Sequence, residues 1–358
     1  MRKILCCSLI ILVFLSLTIK KIEAKEDTKI SAKVFFFYYH DLSKEDGKTN
    51  AFDFERVYLT YKRNLNQKLK VRITTDIGRI NSITDLQWKT QEFMTTHAVD
   101  DESLAILDAD TREEARQVDD RIQVFLKYAY LEWQKLIPNG SMILGLQETP
   151  TWKIHEEYWG YRGVQKTSMD LNKLGSSADI GLGLEGKLVD ERLNYYFLLS
   201  NGPGHNHAEE DMYKKGHLRF TLDFLGEFAV SAYADYEVKD SETSNLTSDL
   251  FLGYGDAQFT VAGQYFARFY DRQHDYRARG FSVFGNAEIL PRVILLGRFD
   301  WFDPDDGVED DEHSLIISGI DYVPVSNVHF VLDGQFKSFS QPEKSSINAI
   351  FLHTIYEF

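Results

Sequence analysis

The chain has 358 residues and only two cysteines, Cys6 and Cys7, both within its first 24 positions. Residues 25–358 therefore hold no thiol, which excludes disulfides, thiolate metal sites and a cysteine nucleophile there. After Leu17 no apolar run approaches the roughly 20 residues that a membrane-spanning helix needs. Bases are scarce. Lys and Arg number 40 against 55 Asp and Glu, a net charge of −15, which argues against a nucleic-acid partner. Signatures of catalysis are also lacking. His40, His97, His217 and His353 are scattered with no nucleophile phrase beside them, and there is no glycine-rich phosphate loop or metalloprotease helix. The expectation is a protein that is not an enzyme and needs no cofactor or metal.

What the chain does have begins at its N-terminus. Arg2 and Lys3 precede an apolar run, Ile4 to Leu17, and a small residue follows at Ala24. This reads as a signal peptide over residues 1–24, with residues 25–358 forming one exported domain. Removing residues 1–24 takes away four bases and one acid and leaves 36 bases against 54 acids, or −18. Aromatics make up 14% of the chain, yet its mean hydropathy is −0.32. A helical membrane protein would be more apolar. Strands that alternate lipid-facing apolar and inward polar residues give a near-neutral mean.

The residue pattern supports that reading. In Lys68–Arg79, Leu69, Val71, Ile73 and Ile77 share one face, and Lys68, Lys70, Arg72, Thr74 and Asp76 the other. This is a period of two. Sixteen such segments can be cut from Ile30 to Phe358, separated by tight turns alternating with long polar connections. The expected fold is all-β: a transmembrane antiparallel up-and-down β-barrel of 16 strands, with short periplasmic turns and long extracellular loops. Leu193, Tyr195, Phe197, Leu199, and likewise Leu218, Phe220, Leu222 and Phe224, should face lipid. Trp301, Tyr322 and Tyr356 suit interfacial girdles. Within the first long interruption, 80–120, residues 101–118 have the spacing of a short helix. The last stretch, SSINAIFLHTIYEF, is a strand that runs to Phe358 and should close the barrel against Ile30–Asp41.

The phrases FDFERVYLTYKRNLNQKLKVRITTDIGR, FLKYAYLEWQ, GLQETPTW with EEYWGYRGV, and LNYYFLLSNGPG resemble the phosphate-selective porin O and P family and its broader porin relatives. The resemblance covers most of residues 25–358 and lies in strand order and short phrases. It implies a bacterial outer-membrane porin, a homotrimer, with a loop after an early strand folded into the pore. The ending is also similar to the terminal strand of outer-membrane barrels, which implies an assembly signal at Phe358 and Tyr356 read by the barrel assembly machinery.

Three groups are candidates for the chemistry of a pore. The loop Thr149–Ser176 follows the fifth strand and offers Lys153, Arg162 and Lys166 against Glu156 and Glu157 as a constriction. Opposed charges across a narrow passage set ion selectivity. The bases Arg56, Lys70, Arg72, Arg219, Arg268 and Arg298 fall on inward positions, either as a track for anions such as phosphate or as wall residues paired with Asp76, Asp223, Asp235 and Asp333. The acidic segment Asp303–Glu312 has seven acids and no base. It reads as a solvated loop, or as one that binds divalent cations bridging outer-membrane lipid and lipopolysaccharide. The function expected is passive diffusion of small hydrophilic solutes or ions. Two other readings are a closed barrel whose acidic loops bind a surface partner, and a secreted soluble β-sandwich that binds carbohydrate.

Overall fold

The computed structural model describes residues 27–43, 50–79, 122–205, 209, 211–240, 243–272 and 275–358. The signal peptide expected over 1–24 and the helix expected over 101–118 lie outside the described residues.

The strands are β1 (Thr28–Asp41), β2 (Asn50–Asn64), β3 (Leu69–Arg79), β4 (Ile122–Ile137), β5 (Gly140–Glu148), β6 (Ala178–Leu188), β7 (Leu193–Ser200) and β8 (Lys215–Phe224). They continue as β9 (Phe228–Val238), β10 (Ser244–Gly255), β11 (Phe259–Asp271), β12 (Tyr276–Leu290), β13 (Val293–Asp303), β14 (His313–Val325), β15 (Val328–Phe339) and β16 (Ile347–Glu357). Each pairs with its sequence neighbour, and β1 pairs with β16, so one sheet closes on itself. All pairs are antiparallel, and no edge is left to seek another chain. At the seam Lys33 faces Glu357 and Asp41 faces Ala349. The amide of Phe358 donates to the carbonyl of Ala32 at 3.0 Å, and the Ala32 amide returns the bond at 2.8 Å.

The expected strand count and closure are therefore observed. A β-sandwich is overturned, because there is one closed sheet rather than two packed ones. Strand ends differ by a few residues: β10 begins at Ser244, four residues earlier than the alternation suggests. The connection after β11 shortens for the same reason, since β11 ends at Asp271 and β12 begins at Tyr276. Hydrogen bonding across a ladder carries strands past the point where their apolar pattern fades.

The outer face is apolar. Leu218, Phe220 and Leu222 are exposed, as are Leu250, Leu252, Ile316, Ile320, Leu332 and Leu352. A continuous belt of this kind would be unsustainable in water and matches a hydrocarbon core. The interior departs from the expectation of a polar lumen. Along β9–β16, Ala229, Phe251, Ala262, Phe284, Leu296, Leu315, Ile317, Val331 and Ile355 point inward and are buried. They are apolar because a second layer covers them from inside.

An arginine placed on the lipid face tests this orientation. Leu250 lies mid-strand on β10 and is 62% exposed. Leu250→Arg should cost about 2–4 kcal/mol in denaturant unfolding from lipid vesicles. An unchanged midpoint would show that this face does not contact lipid.

Candidate functional site

The second layer is the segment between β5 and β6. It enters the barrel and carries two short helices, α1 (Lys153–Trp159) and α2 (Ser168–Leu171). Gly160 ends α1 in the left-handed conformation, φ 71°, which reverses the chain without a Cβ clash. Three residues on, a Cβ at Gly163 would sit 2.7 Å from the Phe35 ring and 2.8 Å from Ile355, so glycine is what lets the loop lie flat on the β1–β16 seam. Ile154, Trp159, Tyr161 and Val164 join the inward apolar residues of the wall in one buried cluster. The Trp159 ring packs edge-on against Phe284 with centroids 5.7 Å apart.

Polar anchors fix the loop. Arg219 on β8 donates to the backbone carbonyls of Pro150 and Thr151, to Ser231 at 2.8 Å and to Asp249 at 2.9 Å. Asp249 also meets His155 Nε2 at 3.2 Å. Arg268 on β11 donates to the carbonyl of Leu174 at 2.7 Å. Arg298 on β13 donates to the carbonyl of Lys166 and is forked on Asp300. Tyr161 donates to Asp321 at 3.1 Å, and Gln165 and Gln335 bond at 3.0 Å. His155, Trp159 and Met169 are almost fully buried.

Of the six inward bases, then, Arg219, Arg268 and Arg298 are engaged with loop carbonyls. Arg56 pairs with Asp76 at 3.3 Å. Lys70 and Arg72 line open space at the β2–β4 side, where Arg72 lies 4.3 Å over the Tyr128 ring. The wall pairings are not all those expected: Asp235 meets Lys215 at 3.1 Å, Asp333 meets His353, and Asp223 accepts from Asn194. The loop charges also separate. Lys153 lies 3.9 Å from Glu148, whose carboxylate holds the ammonium proton above its usual range. The Lys166 amide donates to Gln165 Oε1 at 2.9 Å.

Arg162 gathers three acids: Glu55 at 2.6 Å, Glu156 at 3.6 Å and Asp170 at 4.0 Å. Burial works against its charge, but Glu55, Tyr58, Asp170 and Glu156 hold its proton well above the ordinary value. Glu156 is pushed up to about 7, first by burial and then by Asp170 and Glu148, against the pull of Arg162 and Lys127. Burial likewise raises Glu157, with Lys153 opposing.

Glu55 and Lys127 were not legible from alternation. The β1–β2 register slips at Glu55, and the β3–β4 register slips at Lys127. Each slip is a bulge that turns an extra residue inward. Lys127 reaches Ser177 Oγ, at the foot of the loop. The signal was present as an anomaly: strict alternation would put Lys127 into lipid, at a cost of about 2–4 kcal/mol near the midplane.

Two cavities flank the loop. One, of about 480 Å³, lies toward β5–β8 and includes Glu157, Glu185, Lys187 and Asp223. The other, of about 430 Å³, lies between the loop and β1–β4 and includes Lys62, Arg72, Lys127, Glu156 and Arg162. Lys153 and Glu157 border both. The acidic segment Asp303–Glu312 is partly structured: Asp303 pairs with Arg279 at 2.9 Å and Asp306 with Arg277 at 2.8 Å. Burial, then Asp303, Asp305 and Glu312, raise Asp311 to about 6. Among the described residues no group of three or more His, Cys, Asp or Glu is arranged to hold a metal.

No family model matches the chain, and no curated protein matches it. Solved structures do. An anion-selective porin from Comamonas acidovorans is 11% identical, with 92% of this chain and 99% of that one covered and a TM-score of 0.62. The outer membrane channel DcaP of Acinetobacter baumannii is 13% identical, with 94% and 99% covered and a TM-score of 0.60. OmpT of Vibrio cholerae, expressed in the outer membrane, is 10% identical, with 92% and 97% covered and a TM-score of 0.62. At these identities the likeness is one of fold: this chain has the 16-stranded barrel of the porins.

The arginine anchors predict a protease phenotype. Arg219→Ala leaves Asp249 buried and frees two carbonyls, a loss of about 3–5 kcal/mol at the anchor. Trypsin should then cut at Lys153, Arg162 or Lys166 in the folded variant while sparing the native chain. Equal resistance would show that Arg219 does not hold the loop.

Proposed function

We propose that this chain is a passive channel of the bacterial outer membrane, through which small hydrophilic solutes and ions diffuse down their gradients. One observation carries the reading. A loop anchored inside a closed, lipid-belted barrel narrows its interior to charge-lined cavities without filling it. A 16-stranded barrel encloses an aqueous lumen unless something plugs it. The likeness to an anion-selective porin and an outer membrane channel is in keeping with this. Nothing in the reading calls for catalysis or a cofactor.

Lys153, Glu156, Glu157 and Arg162 border the passage and set its charge. Lys70 and Arg72 line the wall below, while Arg219, Arg268 and Arg298 serve chiefly to hold the loop. Phosphate selectivity, as in the O and P family, would need an excess of open bases. The three carboxylates around Arg162 oppose that, and the passage accordingly favours no single sign strongly. A homotrimer suits a porin fold of this size. Lipopolysaccharide would contact the outer rim near Arg277 and Arg279, and Phe358 with Tyr356 would be read by the assembly machinery.

Planar-bilayer recordings of the purified protein test the channel directly. Discrete open steps are expected, and a silent barrel would favour the reading in which the loops bind a surface partner. Reversal potentials add a pH test. Glu156 faces Arg162 and Asp170 from the loop, Lys127 from β4 and Glu148 from β5. Above pH 7 it is charged and favours cations; below, it is neutral and the balance moves toward anions. The reversal potential in a salt gradient should therefore shift toward anion preference between pH 8 and pH 6. Glu156→Gln should hold the acidic value throughout, and a pH-independent native channel would refute the assignment. Deleting Phe358 should lower the amount of barrel in the outer membrane more than the conductance of what inserts. Normal levels would remove the assembly role.

A further inference from the structure

The tip of the inserted loop, residues 161–165, touches five strands in a row, and they are the strands on either side of the barrel closure. Tyr161 donates to Asp321 on β14 at 3.1 Å, and Asp321 also meets His329 of β15 at 2.7 Å. Gln165 and Gln335 of β15 bond at 3.0 Å, and Gln335 donates to the carbonyl of Val164 at 3.3 Å. Gly163 lies over Ile355 of β16 and Phe35 of β1. Arg162 donates to Glu55 of β2 at 2.6 Å. Phe35 and Ile355 are direct register partners in the β1–β16 ladder. Ala32 and Phe358 exchange both backbone hydrogen bonds, so three positions along, Phe35 and Ile355 form a pair without them. Side chains stand closest at such pairs. The β1–β2 bulge falls at the same level, between Phe35 and Phe36, and it turns Glu55 toward Arg162.

The seam joins the two ends of the sheet, so no turn sets its register as a hairpin turn does. A slip of two residues keeps every side chain on its own face, and alternation alone does not exclude it. Lys33 and Glu357 lie 4.0 Å apart with both side chains about half exposed, too weak a pair to decide the matter. The loop tip does decide it. A slip of two would set His353 or Glu357 opposite Phe35, and a polar side chain would replace Ile355 under Gly163. We propose that residues 161–165 are the register gauge of barrel closure. Seated first on β14 and β15, the tip presents a surface that β1 and β16 fit only with Phe35 opposite Ile355, and Arg162 then draws in β2. Closure thereby waits on insertion of the loop, and a barrel lacking its constriction stays open at the seam. The inference concerns assembly and holds whatever solute passes.

Disulfide trapping during refolding into lipid vesicles tests this, in the full chain carrying Cys6→Ser and Cys7→Ser so that no native thiol competes. Three cysteine pairs on outward positions serve as reporters. Tyr38→Cys with Leu352→Cys reads the native seam, and Tyr38→Cys with Ile350→Cys reads a slip of two. Phe197→Cys with Leu218→Cys reads the β7–β8 ladder, away from the seam. Gly163→Leu adds bulk where a Cβ alone would already sit 2.7 Å from Phe35. It should slow the native-seam disulfide about tenfold, the scale of an overpacked contact. The slipped disulfide should rise above its background, while the β7–β8 disulfide forms at its usual rate. Arg162→Gln removes the β2 contact without adding bulk and should act in the same direction. An unchanged seam rate in both variants overturns the proposal. Equal slowing at the seam and at β7–β8 also overturns it, because the loop would then be a general aid to folding. A slipped yield that stays at background removes the register role. Where Gly163→Leu forms no disulfide of any kind, Arg162→Gln decides, and a native seam rate there overturns the proposal.

Discussion

A loop carried into a barrel brings backbone carbonyls away from water, and each needs a donor there. In this chain the donors are arginines projecting from the wall. Arg219, Arg268 and Arg298 take the carbonyls of Pro150, Thr151, Leu174 and Lys166, from three separate strands. Arginine suits the task because its planar fork serves a carbonyl and a carboxylate at once. Arg219 does so with Asp249, and Arg298 with Asp300. These carboxylates compensate charges that would otherwise be costly to bury. The position of the loop, and hence the shape of the open space, depends on these clamps.

Apolar packing supplies the rest of the fixation. Trp159 and its neighbours cover an inward face that a water-filled barrel would not make apolar. One side of the interior is thereby closed with a dry contact, and the passage is displaced toward β1–β8, where both cavities lie. Arg219, Arg268 and Arg298 are taken up by the loop they anchor, while Lys62 and Arg72 line the passage.

Much of the fold was legible because period-two alternation reports local backbone geometry. The sixteen segments, the outward rows such as Leu218, Phe220 and Leu222, and the pairing of the last strand with the first all follow from it. The ending SSINAIFLHTIYEF places Phe358 and Tyr356 outward and Ile355, His353 and Phe351 inward, as its alternation requires. Where alternation broke, the reading lost a residue. Lys127 and Glu55 face inward only because of register slips, and a slip belongs to two strands rather than one.

The sequence by itself determined the sheet: its strand number, its closure, its apolar belt and the presence of a long segment after the fifth strand. These are set by patterns within a few residues of each other. Tertiary structure alone decided what each inward charge does. Arg219 and Arg72 look alike in their strands, each a base among alternating apolar residues. One clamps a loop and the other lines open space, because the loop reaches across the barrel to one wall and leaves the other bare. Contacts of that kind join residues some 70 to 130 positions apart, and a pattern of period two carries no information about them.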